Sequence, residues 1–382
     1  MTFTYIDSDS ALADFCASIA HCRYCALDTE FVREKTYYPV LALIQLATES
    51  AQACIDPLKV KDYAPLIGLF EQDAMLKILH SPSQDLELFQ HNFGSLPKPL
   101  FDSQVAAAVL GYANQIGYAD LVNKVCGVQL DKKYTRTDWS RRPLSEGELD
   151  YAMDDVRYLI EIYQKMTRDL EQQQRLTWVE DDFAEMTDPA KYQLDLGSLW
   201  KRLKGVQKLK GLALNHADQL CRWREQRAMD KNRPRRWIMK DEDIVDIARL
   251  KPTDIEGLSQ IGQLSKDYMN KVGPEILKVL KTSAQMDPAD FPRQDDFSRL
   301  NSQQQALADC LMAISRVVCE QNNIAQTSVV SKKDIDGLVA GSRSGKIMHG
   351  WRFKMLGEQM LDFIEGRVGL HCLQGRLKMD SK

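Results

Sequence analysis

The stretch Leu27-Asp28-Thr29-Glu30-Phe31, near the N-terminus, reads as a buried strand interrupted by two carboxylates. Side chains alternate across a strand, so Asp28 and Glu30, two positions apart, project from the same face. Two carboxylates on one half-buried face are costly as charges unless cations neutralise them, so the pair predicts a divalent metal site. A bare D-x-E also occurs where a strand simply ends at water, and acids further along the chain decide between the two.

The flanking sequence predicts a mixed sheet. The charged, aromatic residues 32–38 end the strand, and Pro39 punctuates it. Val40–Ala47 (VLALIQLA) and residues 51–55 are short apolar runs, the second stopped by Asp56-Pro57, so the region reads as a three-strand meander. Residues 63–70 have helical spacing, residues 75–79 read as a buried strand, and residues 85–93 as a helix ended by Gly94 and Pro97. Parallel strands need helical crossovers, so β-β-β-α-β-α implies a mixed sheet with helices packed on it. Asp102 reads as the N-cap of a helix over residues 103–110, and Gly127 ends a further short helix. After the polar loop 131–142, Ser145-Glu146-Gly147-Glu148 has the form of a capping box opening one long helix to about residue 174. Tyr151 and Asp155 share a face of that helix, about one turn of 5.4 Å apart.

With 382 residues and 44% apolar composition, the chain is expected to form two or three domains. The net charge of −4 hides an asymmetry: residues 1–190 carry 17 basic and 30 acidic side chains, residues 191–300 carry 22 and 16, and residues 301–382 carry 11 and 8. An acidic half joined to a basic half suits a metal-loaded site whose polyanionic substrate is held by another domain. Cys22 and Cys25 form a lone C-x-x-C beside the first strand and read as core residues. An odd cysteine count of nine without a signal peptide points to the cytoplasm. No run approaches the roughly 18 apolar residues of a membrane span, so no membrane partner is expected.

Residues 182–198, with Pro189, read as a connector, and residues 191–240 hold 14 Lys and Arg against 4 Asp and Glu. A gapless shift of 91 positions places Asp243-Ile244 on Asp334-Ile335, Asn232 on Asn323 and Ile238-Met239 on Val329-Val330. Helical periodicity on both sides makes this a duplicated helical module of about 80 residues. In the first copy Arg233, Arg235, Arg236 and Trp237 mix guanidinium groups with an indole, a combination that pairs phosphates and stacks on bases. Trp237 itself reads as a core residue. The acidic N-terminal half is expected to fold without residues from about 200 onward.

Asp28, Glu30, Asp85 and Asp155 come from three elements, and Tyr151 stands one helical turn before the last. Converging on one sheet edge, four carboxylates could bind two divalent cations about 3.5 to 4 Å apart, an arrangement that performs phosphoryl chemistry. A tyrosine there can orient the attacking water or help take its proton.

At these residues the chain resembles the bacterial ribonuclease D family, in the tyrosine-bearing class of the DEDD exonuclease superfamily. The first motif of that class matches Leu27-Asp28-Thr29-Glu30-Phe31, the second matches His80 through Asp85-Leu86, and the third matches Tyr151 and Asp155. Asp138-Trp139 and Arg142-Pro143-Leu144 are also family-like, whereas Glu148 and Met153 depart from the usual glutamine and alanine. Asp154 falls one place out of register and reads as a solvated neighbour. The repeats are similar to the HRDC module, in two copies.

The resemblance implies an α/β N-terminal domain of the ribonuclease H-like kind, a mixed sheet with flanking helices, followed by two small all-α domains. The implied bounds are 1–185 for the exonuclease, 186–208 for a linker, and 209–290 and 300–382 for the modules. Asp28, Glu30, Asp85 and Asp155 are implied as ligands of two divalent cations, Mg2+ or Mn2+, and Tyr151 as the water-positioning residue. The implied activity is 3′→5′ exoribonuclease, releasing 5′-nucleoside monophosphates in 3′ maturation of transfer RNA and other small stable RNAs, with no obligate protein partner. A DNA 3′ exonuclease and a non-catalytic nucleic-acid-binding adaptor are the alternatives. Four intact acids and a tyrosine argue against the adaptor, because nothing else would maintain such a cluster against its own repulsion.

Overall fold

In the computed structural model, which describes residues 3–113, 115–131, 133–261, 266–294 and 300–381, the chain opens with β1 (Thr4–Ile6) and α1 (Asp9–Ile19). It continues through β2 (Tyr24–Val32), β3 (Val40–Ala47), β4 (Gln52–Ile55), α2 (Ala64–Phe70), β5 (Leu76–Leu79), α3 (Ser83–Phe93), β6 (Leu100–Asp102) and α4 (Ser103–Val109). The strands form one sheet in the order β1-β4-β3-β2-β5-β6. β3 and β4 pair antiparallel, whereas β1–β4, β2–β5 and β5–β6 are parallel, as the crossover argument requires. β1 and α1 have no counterpart in the sequence reading. Three residues are too few for alternation to register, and α1 buries only Leu12, Cys16 and Ile19.

Next come α5 (Tyr118–Cys126), α6 (Glu146–Arg157), α7 (Leu159–Gln172) and α8 (Leu176–Met186). The single long helix expected after Ser145 is therefore two, interrupted at Tyr158, with neither proline nor glycine at the break to signal it. Asp102 does cap α4, accepting from the Gln104 amide at 2.8 Å.

Two compact units divide the chain: one holds Met1–Phe31, Leu41–Tyr192 and Phe297–Lys382, the other Val32–Val40 and Gln193–Asp296. The second is built from α9 (Gly211–Asp230), α10 (Arg235–Ile238), α11 (Asp241–Leu250), α12 (Ile255–Ser259) and α13 (Lys266–Ala284), around a core that includes Trp200, Leu220, Ile244 and Ile276. In the first unit follow α14 (Ser302–Gln321), α15 (Gln326–Val329), α16 (Lys332–Val339), α17 (Gly350–Arg352), a π-helical turn over Phe353–Gly357 and α18 (Glu358–Ile364). The helices α14, α15 and α16 begin 91 residues after α9, α10 and α11 respectively. Asn232 and Asn323 occupy the same place in the two copies with φ of 44° and 56°, the left-handed conformation that asparagine tolerates best after glycine.

Beyond that point the copies diverge, and the C-terminal region is not all helical. β7 (Val368–Leu373) and β8 (Arg376–Ser381) form an antiparallel hairpin. Gln374 and Gly375 at its tip both have positive φ, 51° and 77°, as a two-residue turn matching the strand twist demands. The sequence signal is Gln-Gly, weaker than the Asn-Gly usually read as a hairpin.

The C-terminal module is also not separable from the nuclease body. One apolar core runs from Phe101, Leu121 and Met153 to Leu311, Trp351 and Leu356. Trp178 stacks on Trp351 at 5.0 Å and 7°, and Arg352 forms a two-pronged bond to Asp182 at 2.8 and 3.0 Å. Arg175 donates to the carbonyls of Val109 at 2.8 Å and Asn322 at 2.6 Å. At Gly111, φ is +87° and an added Cβ would run into the Asn323 carbonyl, so only glycine fits this approach. Removing residues from 300 onward should leave an unfolded or aggregating nuclease, seen as loss of a cooperative melt. Gly111→Ala should cost about 1–3 kcal/mol of stability, read by denaturant titration.

Candidate active site

The β2–β5 pairing runs from Tyr24↔Leu76 to Ala26↔Ile78, and Asp28 and Glu30 continue β2 beyond it. Ala26 packs into the core on one face of the sheet and Leu27 into the core on the other, so the two acids continue the Ala26 face. α3 starts four residues after β5 ends, which puts Asp85 in its first turn, buried at 8% exposure. Thr29, between the two strand acids, donates its hydroxyl to the Asp85 carboxylate. Orphan amides at a helix start also favour a carboxylate there.

α6 carries the fourth acid. Ser145 and Glu148 close the expected capping box, with the Ser145 amide donating to Glu148 at 2.7 Å, and Arg141 adds an ion pair to Glu148 at 2.8 Å. Leu149, Ala152, Met153 and Val156 bury one side of α6 in the core of the sheet, leaving Tyr151 and Asp155 half-buried. The loop before α6 is anchored by Arg142. Its guanidinium meets the fully buried Asp56 through two bonds of 2.8 and 2.7 Å, and it donates to the carbonyls of Ala42 at 2.6 Å and Trp139 at 2.7 Å. Tyr5 donates to the same carboxylate at 2.7 Å. Burial alone would raise the Asp56 pKa, but Arg142 and Tyr5 hold it below the ordinary range. This anchor lays Trp139 against Tyr151, ring centres 6.4 Å apart, with Tyr134 at 6.0 Å.

The four acids behave differently from Asp56, because among the described residues no cation meets them. Loss of hydration is the largest cause pushing Asp28 well above the usual carboxylate range, followed by the charges of Asp85, Asp155 and Glu30. Asp28 retains some exposed area, yet the protein around its carboxyl is dense enough for desolvation to dominate. Burial, then Asp155 and Asp85, push Glu30 to about 8. Burial, then Asp154 and Asp85, push Asp155 to about 7. Burial raises Asp85 to about 6, with Thr29 opposing. Among the described residues no three such side chains already stand close enough to enclose an ion. The donor set itself is four hard carboxylates facing one another, which fits hard divalent cations and not zinc-type sulfur or imidazole chemistry.

Tyr151 is half-buried, its hydroxyl 3.4 Å from Thr135 Oγ. Burial raises its pKa, and the nearby acids raise it further, so the phenol stays protonated at neutral pH. His80, from the second motif, is structural: Nδ1 meets Ser103 Oγ at 2.9 Å, Nε2 meets the Ile116 carbonyl at 3.0 Å, and burial lowers its pKa to about 4. Asp154 turns to Arg157 at 2.6 Å.

Residues 3–171 match the family model of 3′–5′ exonucleases, and residues 213–280 match that of the HRDC domain. A ribonuclease D of Sphingobium indicum is 38% identical over 379 residues, 98% of this chain and 97% of that protein. The chain belongs to the ribonuclease D family. A ribonuclease D of Bartonella henselae is 32% identical over 94% of this chain and 90% of that one. The crystal structure of Escherichia coli RNase D, described as an exoribonuclease involved in structured RNA processing, shares 29% identity and a TM-score of 0.87 over 96% of this chain and 99% of its own. As a ribonuclease D family member, the chain is a 3′→5′ exoribonuclease, and its exonuclease family is divalent-metal dependent. No described helix is long and apolar enough to cross a membrane.

The basic run expected to meet RNA lies in the second unit and divides by partner. Arg235 binds the buried Glu225 at 2.5 Å and the Tyr37 hydroxyl at 3.3 Å, and Arg236 reaches Asp241 and Glu242 at 3.5 and 3.3 Å. Trp237 is 57% exposed, not a core residue: the short α10 turns it outward and buries Ile238 instead, and Arg233 lies 5.8 Å over its ring. Sequence reasoning missed Thr29, Asp56 and Tyr5. Thr29 sits inside the first motif and could have been found there, whereas nothing in the sequence pairs Asp56 with Arg142 across 86 positions.

Raised carboxyl pKa values make the folded state bind more protons than the unfolded one, so stability falls as pH rises. For Asp85, Asp155 and Glu30 the window runs from the unfolded value near 4 to about 8. The metal-free protein should therefore melt lower at pH 8 than at pH 5.5, and Mg2+ should raise the pH 8 value more than the pH 5.5 value, because cations and protons compete for the same oxygens. Calorimetry with and without EDTA reads both. An Mg2+ effect independent of pH would contradict the assignment.

Proposed function

We propose that this ribonuclease D family chain shortens RNA from its 3′ end one nucleotide at a time, releasing 5′-nucleoside monophosphates at a site of two divalent cations, Mg2+ or Mn2+. Asp28, Glu30, Asp85 and Asp155 would hold them. The observation that carries this reading is the delivery of those four carboxylates by β2, α3 and α6 to one edge of the sheet, where burial disfavours the charge on all four and neighbouring acids add to it at Asp28, Glu30 and Asp155. Cations bound there supply an acidified attacking water and stabilisation of the leaving 3′ oxygen.

The chain's own residues supply position. Thr29 holds Asp85. Trp139 and Tyr134 hold the ring of Tyr151, and its protonated hydroxyl can orient a water by donating to it or accepting from it. Precursors of transfer RNA and other small stable RNAs are the substrates we favour, in keeping with the structured RNA processing described for the Escherichia coli relative. Residues 1–185 are proposed as the exonuclease domain, 186–208 as linker, and 209–290 and 300–382 as duplicated HRDC-like modules. The common 91-residue register of their helices supports the duplication. Residues 1 and 382, at the ends of those bounds, lie outside the described residues. Arg233, Arg236 and the exposed Trp237 are offered as RNA contacts, with Arg235 holding their turn in place.

End-labelled RNA and DNA of one sequence, digested side by side with and without EDTA, test the reading. RNA should be trimmed from the 3′ end, and EDTA should stop it. Asp28→Asn, Glu30→Gln, Asp85→Asn and Asp155→Asn should each abolish most activity without lowering the melting temperature, because each removes a charge from a repelling cluster. Tyr151→Phe should lower kcat by about 10²- to 10⁴-fold with little change in KM, the range of a positioned acid–base group. Wild-type turnover with a lowered melting temperature would make Tyr151 a packing residue.

A further inference from the structure

The second unit contains a cleft of about 590 Å³ that the nuclease reaction does not use. Leu212, Pro252, Pro274 and Leu277 give it an apolar floor, and Lys251, Lys278 and Lys281 stand around it. Lys278 and Lys281, three apart on α13, share a helical face. Lys251 ends α11 in the left-handed conformation, φ 52°, which turns it out of the helix. All three are exposed, and among the described residues none has an acidic partner and no carboxylate lines the cleft. Lysines gathered without counter-ions repel one another, so an anion placed among them is stabilised by all three.

His216 gives the cleft directionality. Its side chain is 3% exposed and lines the cleft, and its Nδ1 lies 2.6 Å from Ser283 Oγ. Ser283 spends its own hydrogen on the Leu280 carbonyl at 3.0 Å, so Nδ1–H is the donor to Ser283. Nε2 is thereby left as a lone-pair acceptor with no partner among the described residues. Burial and the nearby Lys251 charge both disfavour a second proton on the ring. The matching occupant carries negative charge at its edge, a flat apolar body, and a hydroxyl or amino hydrogen to give.

We propose that this cleft binds a nucleotide of single-stranded RNA, with the base on the proline and leucine floor, flanking phosphates on Lys251, Lys278 and Lys281, and a hydroxyl or amino hydrogen donated to His216 Nε2. The proposal rests on RNA being the substrate and names a binding site for it outside the carboxylate cluster. A volume of about 590 Å³ lies within the roughly 300–1,000 Å³ of small-molecule sites, enough for a nucleotide.

Fluorescence anisotropy with a labelled single-stranded RNA, in EDTA so that the strand survives, tests this on the full chain. Lys278→Ala with Lys281→Ala should weaken binding and reduce the slope of log K against log salt by about 1.4, two phosphate contacts at about 0.7 each for a single strand. Lys332→Ala with Lys333→Ala, which removes the same charge elsewhere, should leave the slope within error. His216→Asn keeps a donor toward Ser283 and removes the Nε2 acceptor, and should weaken RNA binding at unchanged slope. Equal slopes for the Lys278/Lys281 variant and wild type, or an equal fall in the Lys332/Lys333 control, would overturn the proposal. Unchanged affinity in His216→Asn with a wild-type melting temperature would overturn the histidine's part. Wild-type protein that fails to degrade RNA in Mg2+ would instead defeat the functional reading on which the proposal rests.

Discussion

Carboxylates taken out of water repel one another, and the nuclease body is arranged to hold four of them together in spite of that. Two ride on β2 past its last pairing with β5, one opens α3, and one projects from α6. Each element is fixed from behind by apolar packing, so the cost of the cluster is met by cores on both faces of the sheet. The contrast with Asp56 is instructive. It is as buried as any of them, but Arg142 and Tyr5 satisfy it and keep it ionised, and its task is to anchor a loop. Among the described residues the four acids have no such partner, an electrostatic situation that favours binding of an external cation.

Duplication followed by divergence accounts for the helical regions. Both copies keep the same three helix starts and the same left-handed asparagine, yet their surfaces have been put to different use. The C-terminal copy spends its apolar residues on the nuclease core, through Trp351 on Trp178 and the Arg352–Asp182 pair, and replaces the last long helix with shorter pieces and a hairpin. The first copy closes its own core and leaves Lys251, Lys278 and Lys281 exposed around the cleft.

The sequence by itself determined the reaction class and the residues to examine. Strand parity put Asp28 and Glu30 on one face, the capping box placed the start of α6, helical spacing put Tyr151 with Asp155, and the 91-residue shift predicted the register of six helices. These are local or periodic signals, carried by backbone geometry over a few residues. Helix continuity past Tyr158, the partner of Arg142, the outward turn of Trp237 and the inseparability of the C-terminal module were decided only by tertiary structure. Each depends on which surfaces meet across tens to hundreds of positions. Whether a tryptophan faces solvent, or an arginine is spent on a carboxylate, is settled by burial and counter-charge supplied from elsewhere in the fold, and no short-range pattern encodes it.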